Sequence, residues 1–71
     1  MEMKDLVAAV RAHAIANYNK GGWDYIVECW EDADIEREIL GCKTPAGAIK
    51  KVGKYAKAQG DYRAEIRAEF W

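Results

Sequence analysis

The sequence predicts an all-α fold, a small bundle of three to four helices in one domain spanning 1–71. Two observations carry this. Apolar residues recur every three or four positions over most of the chain, the spacing that lines one face of a helix. Gly21-Gly22 and the stretch Gly41-Cys42-Lys43-Thr44-Pro45 cut that pattern into segments of helical length. The expected helices are about 4–19, 23–30, 33–40 and 45–70, with short connections and antiparallel neighbours.

The first helix follows from Leu6, Val10, His13, Ala14 and Asn17, with Val7 and Tyr18 beside them and five alanines raising helix propensity. Gly21 or Gly22 supplies the positive φ that ends it. In the second, Trp23, Ile26, Val27 and Trp30 fall at i, i+3, i+4 and i+7 and form one apolar face, expected to be the main wall of the core. Cys29 sits at the margin of that face, where it is expected to pack as a small hydrophobe. The same stretch also alternates apolar and polar residues as a strand would. Nothing else in the chain reads as a strand to pair with it, so a strand here would have to borrow a partner from a second subunit.

Projected at 100° per residue, Ile35 and Ile39 lie away from the tryptophan face. A break is therefore expected within Glu31-Asp32-Ala33-Asp34, with Asp32 or Asp34 as N-cap of a third helix that stops at Gly41. The last helix has the plainest start, Thr44 as N-cap and Pro45 at the first helical position. Ile49, Val52, Ala56, Gln59, Tyr62 or Arg63, Ile66 and Phe70 then repeat at helical intervals. Gly53 and Gly60 each weaken a helix by up to ~1 kcal/mol relative to alanine. Gly60-Asp61 is a candidate break, but the register carries through it, which favours one long helix with a soft point.

At 71 residues the chain buries only ~60% of the surface its unfolded form exposes, so its margin of stability is thin. With 51% hydrophobic residues it is too apolar to be disordered. No apolar run approaches the ~18 residues a membrane span needs, and the charged N-terminus does not read as a signal peptide. Two cysteines are too few for a secreted disulfide scaffold, so a cytoplasmic protein with reduced thiols is expected.

The net charge of −1 conceals a strong asymmetry. Residues 21–41 hold seven carboxylates against Arg37 alone, whereas residues 42–71 hold seven basic residues against three acidic ones. The two segments either lie against each other within the fold or mark binding faces. On the acidic side Asp24, Glu28, Glu31 and Asp32 are candidates to meet a basic partner. On the basic side Lys50, Lys54 and Lys57 share one helical face, with no acid among Lys43, Lys50, Lys51, Lys54 and Lys57, and could follow a phosphate backbone. The run EREILGCKTPAGAIKKVGKY has a faint helix-turn-helix character, weakened by a turn about two residues too long and by Arg37 where that motif wants a small residue.

No residue set announces catalysis or a cofactor. His13, Cys29 and Cys42 are the soft metal-ligand candidates, without the paired spacing of a zinc site. A Cys29/His13 nucleophilic pair would need contact and a third orienting group. ECWEDADIEREI lacks the central glycine of a calcium loop. The aromatics Trp23, Trp30, Tyr62, Phe70 and Trp71 are expected in the core or in an interface, the last two docked within the fold or across a homodimer.

GGWDYIVECWEDADI followed by TPAGAIKKVGKY resembles short uncharacterised proteins of tailed bacteriophages, prophages and some bacterial genomes. The shared features are a G-W-D start, an E-C-aromatic step, an acidic helix and a T-x-x-G-A-I helix start, and the likeness runs from about Leu6 to Ile66. It implies a phage-associated accessory protein that binds a host protein, and it carries over no functional residue. The expectation is a non-enzymatic helical protein acting by protein–protein contact, as a homodimer and without cofactor. The alternative is a nucleic-acid-binding regulator using the lysine face.

Overall fold

A computed structural model describes residues 2–70, with side chains described through residue 67. It is all-helical: α1 (Met3–Ala16), α2 (Trp23–Cys29), α3 (Asp32–Glu38) and α4 (Pro45–Phe70), with no strand among the described residues. The strand reading of 23–30 is therefore set aside. No helix in the described residues is long and apolar enough to cross a membrane.

Local chemistry sets each boundary. α1 closes at Ala16, three residues before the expected end, because Asn17 turns back on it: the Asn17 backbone N–H and side-chain amide both donate to the His13 carbonyl, at 3.0 and 2.8 Å. Gly21 and Gly22 then take positive φ of 51° and 87° and lead into α2. Trp30 leaves α2 in extended backbone (φ −97°, ψ 128°), so the phase break begins there. The cap of α3 is Glu31, not the expected Asp32 or Asp34. Asp34 contributes from inside the first turn, where its Oδ2 accepts the Glu31 backbone N–H at 2.8 Å. Glu31 precedes two aspartates in a turn at the positive end of the helix dipole. Thr44 is the expected cap of α4, its Oγ1 accepting the Gly47 N–H at 3.2 Å. α4 runs unbroken through Gly60.

The buried core is aliphatic: Leu6, Val7, Val10 and Ala14 from α1, Ile26 from α2, Ile35 and Ile39 from α3 and the turn after it, and Ala48, Val52 and Ala56 from α4. α1 packs on each of the other three helices, and α4 does the same. This corrects two expectations. Only Ile26 of the α2 apolar face is fully buried; Trp23, Val27 and Trp30 are half-buried flanks of the core rather than its main wall. Trp30 lies past the end of α2, where helical projection no longer applies, and its ring meets Tyr55 of α4 at a centroid distance of 5.3 Å. Cys29 is exposed rather than packed, because it is the last residue of α2, where the body no longer covers the helix.

The third correction concerns α4. Its 26 residues span ~39 Å at 1.5 Å per residue, while the molecule measures 45 × 19 × 19 Å. The body covers α4 only as far as Ala56, with Gln59 and Gly60 half-buried beyond it, and every residue from 61 to 67 is exposed. Tyr62 and Ile66 continue the apolar periodicity but have no body beneath them, and remain 58% and 37% exposed. The docking expected of Phe70 and Trp71 lies outside the described side chains.

Arg11 ties the α2–α3 junction to α1. Its guanidinium donates to the carbonyls of Trp30, Ile26 (3.4 Å) and Val27 (3.5 Å), and its Nε donates to Asp32 Oδ1 at 3.0 Å. One side chain thereby serves the open carbonyl end of α2 and the acidic start of α3, which places a cation at a helix C-terminus. Arg11→Met keeps the aliphatic stem and removes these bonds. It should lower the unfolding free energy by about 1.5–3 kcal/mol, the range for hydrogen bonds to a charged group. Asp32→Asn should cost less than about 1 kcal/mol, as an exposed pair does. Urea unfolding midpoints of the two variants check this ordering.

Candidate functional site

The most developed concavity lies where the α1–α2 turn meets α4, and two glycines create it. Gly22 has φ 87°, which side chains rarely adopt, and a Cβ there would stand 2.1 Å from the Ala56 carbonyl oxygen and 2.8 Å from the Gly60 nitrogen. A Cβ on Gly60 would stand 2.9 Å from the Gly21 carbonyl carbon and 3.0 Å from its oxygen. Backbone therefore sits directly on backbone. The residue expected to be a soft point in α4 is the seat on which the turn rests. Beside it the Trp23 ring covers Gly53, 3.4 Å from where its Cβ would be, and packs edge-on against His13 at 4.8 Å. His13 is thus half-buried against an aromatic ring.

Around this seat is an open groove of about 600 Å³. Its floor is small: Gly53, Gly60 and Ala64 of α4 and Gly21 of the turn. Tyr18 and Asn19 form the wall on the turn side, and Lys57, Arg63 and Arg67 supply cations from α4, against Asp24 and Asp61. Arg63 Nη1 donates to Asp24 Oδ2 at 2.6 Å, pinning the start of α2 to the projecting part of α4. That bond, ahead of the residual cost of desolvation, holds the Asp24 carboxyl below its usual value. The Tyr18 hydroxyl donates to Glu28, which fixes the tyrosine ring on the groove wall.

A shallower cleft of about 360 Å³ lies between α2, α3 and α4, lined by Tyr25, Cys29, Trp30, Asp34, Arg37 and Tyr55, with Glu38 at its edge. The Tyr55 hydroxyl bonds to Glu38, and this raises the tyrosine above its ordinary value. Cys29 stands on this rim and His13 packs on Trp23 beside the other groove, so neither cleft is lined by both. Cys42 is half-buried after the Gly41 turn. Among the described residues no three His, Cys, Asp or Glu side chains gather into a set that could hold a metal ion.

The two charged faces fare differently. The acidic candidates are largely engaged inside the molecule: Asp24 by Arg63, Glu28 by Tyr18 and Asp32 by Arg11, while Glu31 is the cap of α3. Their partners in charge are arginines, each able to reach a carboxylate or carbonyl with a planar fork of donors. Lys43, Lys50, Lys51, Lys54 and Lys57 are all exposed, and none is in an ion pair among the described residues. Lys50, Lys54 and Lys57 stand on one solvent face of α4, and Lys57 also forms part of the groove. The groove and the Arg11 bridge had no signal in the sequence beyond Gly22, Gly60 and the arginines themselves, because each depends on elements distant along the chain.

No protein-family model, no curated protein and no solved structure matches the chain.

The Asp24–Arg63 bond has a defined pH signature. A carboxyl held below its ordinary value in the folded state contributes stability that is present above the unfolded pKa and is lost as pH falls through the folded one. Asp24→Asn should therefore destabilise the protein at neutral pH, and the difference from the parent should close as the medium is acidified below the usual carboxylate range. Thermal melts of both proteins from pH 7 to pH 2 test this.

Proposed function

We propose that this chain is a small non-enzymatic helical protein that acts by protein–protein contact, with the projecting half of α4 as its contact element and a second copy as its first partner. The supporting observation is the exposure of Tyr62 and Ile66, four residues apart on one face of a helix that outruns its own body. Apolar side chains at helical spacing without a neighbour are the form in which a helix presents anchors to a groove or to another helix. The phage-type resemblance fits an accessory protein that engages a host factor in the cytoplasm.

A second reading is favoured by a separate observation. Three carboxylates of the acidic segment, Asp24, Asp32 and Asp34, are paired with arginines, and the five exposed lysines between positions 43 and 57 are without ion-pair partners among the described residues. An unneutralised face of this kind suits a nucleic-acid backbone, whose binding draws on the release of counterions.

Sedimentation equilibrium at micromolar concentration tests the first reading. A mass of twice 8.0 kDa is expected for the parent. Tyr62→Glu with Ile66→Glu should restore the 8.0 kDa species without loss of helix content, because neither side chain belongs to the core. A parent that sediments as a monomer contradicts self-association.

A further inference from the structure

We propose that the groove between the α1–α2 turn and α4 is a path for a single nucleic-acid strand. The proposal rests on the lysine-face reading and adds the site, the form of nucleic acid and the means of contact.

The groove follows a regular strip of α4. Gly53, Lys57, Gly60, Ala64 and Arg67 are spaced by four, three, four and three residues, so they run in one line along the helix. Small residues make the floor, and cations rise from it at Lys57 and Arg67, which are separated by ~15 Å of helix. Neither cation is in an ion pair among the described residues, whereas Arg63 is held by Asp24. Asp61 is the one carboxylate of the groove without an ion-pair partner among the described residues. Lys54 and Lys50 lie about one and two turns before Lys57 on the exposed face, so the positive track reaches the groove from outside.

An aromatic wall completes the arrangement. Tyr18 is 38% exposed, and its hydroxyl is tethered to Glu28. A ring held in place beside a cationic track is the pairing that proteins use to bind single strands, with phosphates on the cations and a base stacked on the aromatic face. A duplex is a poor fit, because its bases are stacked inside and its phosphates would meet the lysine ridge without entering a groove in a body 19 Å across. An acidic peptide could satisfy the cations but would leave the Tyr18 platform unused.

Fluorescence anisotropy at low salt tests the proposal, with a labelled oligothymidylate, a duplex of equal length and a polyglutamate peptide as probes. The single strand should bind at least several-fold more tightly than either alternative, and more weakly as salt rises. Lys57→Glu with Arg67→Glu should weaken it tenfold or more, Tyr18→Ala by several-fold, and Lys4→Glu on α1 should leave it unchanged. Circular dichroism should show unaltered helix content in all three variants. If Lys50→Glu with Lys54→Glu abolishes binding while the groove variants leave it intact, or if the duplex binds as well as the strand, the groove assignment fails and the lysine-face reading stands. Equal binding of polyglutamate overturns the assignment to nucleic acid. No binding of any probe overturns both.

Discussion

The contact on which the rest of this structure depends is the one between Gly22 and Gly60. A turn in left-handed backbone rests directly on a helix, with room for no side-chain carbon between them. That contact sets where the α1–α2 pair meets α4. It determines that Trp23 lies over Gly53 and that Asp24 comes within reach of Arg63. Among the described residues the core of so small a chain is ten aliphatic residues, four of them from α1 and three from α4. Apolar burial alone is non-directional, so it would allow α4 to slide or rotate against its neighbours. Backbone seated on backbone permits one register.

Polar contacts extend this placement to the remaining elements. Arg11 joins α1 to the end of α2 and the start of α3, and Arg63 joins α4 to the start of α2. Arg11 and Arg63 thus hold helices together, while the lysines between positions 43 and 57 are left at the surface. The division follows from the side chains: a planar guanidinium can satisfy several carbonyls and a carboxylate at once, whereas a strongly hydrated ammonium loses more by leaving water. Folding pairs Asp24, Asp32 and Asp34 with arginines and leaves Lys50, Lys51, Lys54 and Lys57 of α4 outside any ion pair among the described residues.

The helices were legible because their signals are local. Thr44-Pro45, the paired glycines, Gly41 and the loss of phase after Trp30 mark boundaries through backbone chemistry that acts over three or four residues. What depended on distant parts of the chain was not legible. Periodicity shows that Tyr62 and Ile66 share a face with the core positions before them, but not that the body ends short of them. The tryptophans of α2 have the right spacing for a core wall, yet a seven-residue helix offers one inward position, taken by Ile26, and Trp30 has already left the helical path. Which of the acidic candidates is engaged inside the fold depends on Arg11 and Arg63 reaching across 21 and 39 positions. Gly60 was read through helix propensity alone, and its meaning reverses once Gly21 is seen against it.

That reversal allows the most direct measurement. In the middle of a helix Gly→Ala should stabilise by up to ~1 kcal/mol if propensity alone governs. At Gly53, where a Cβ would make ordinary contact with the Trp23 ring, the account predicts that Gly53→Ala is neutral or stabilising in urea unfolding. At Gly60, where a Cβ would press on the Gly21 backbone, it predicts that Gly60→Ala is destabilising and loosens Trp23, seen as a change in tryptophan fluorescence. A Gly60→Ala protein as stable as Gly53→Ala, with unchanged fluorescence, would contradict the account.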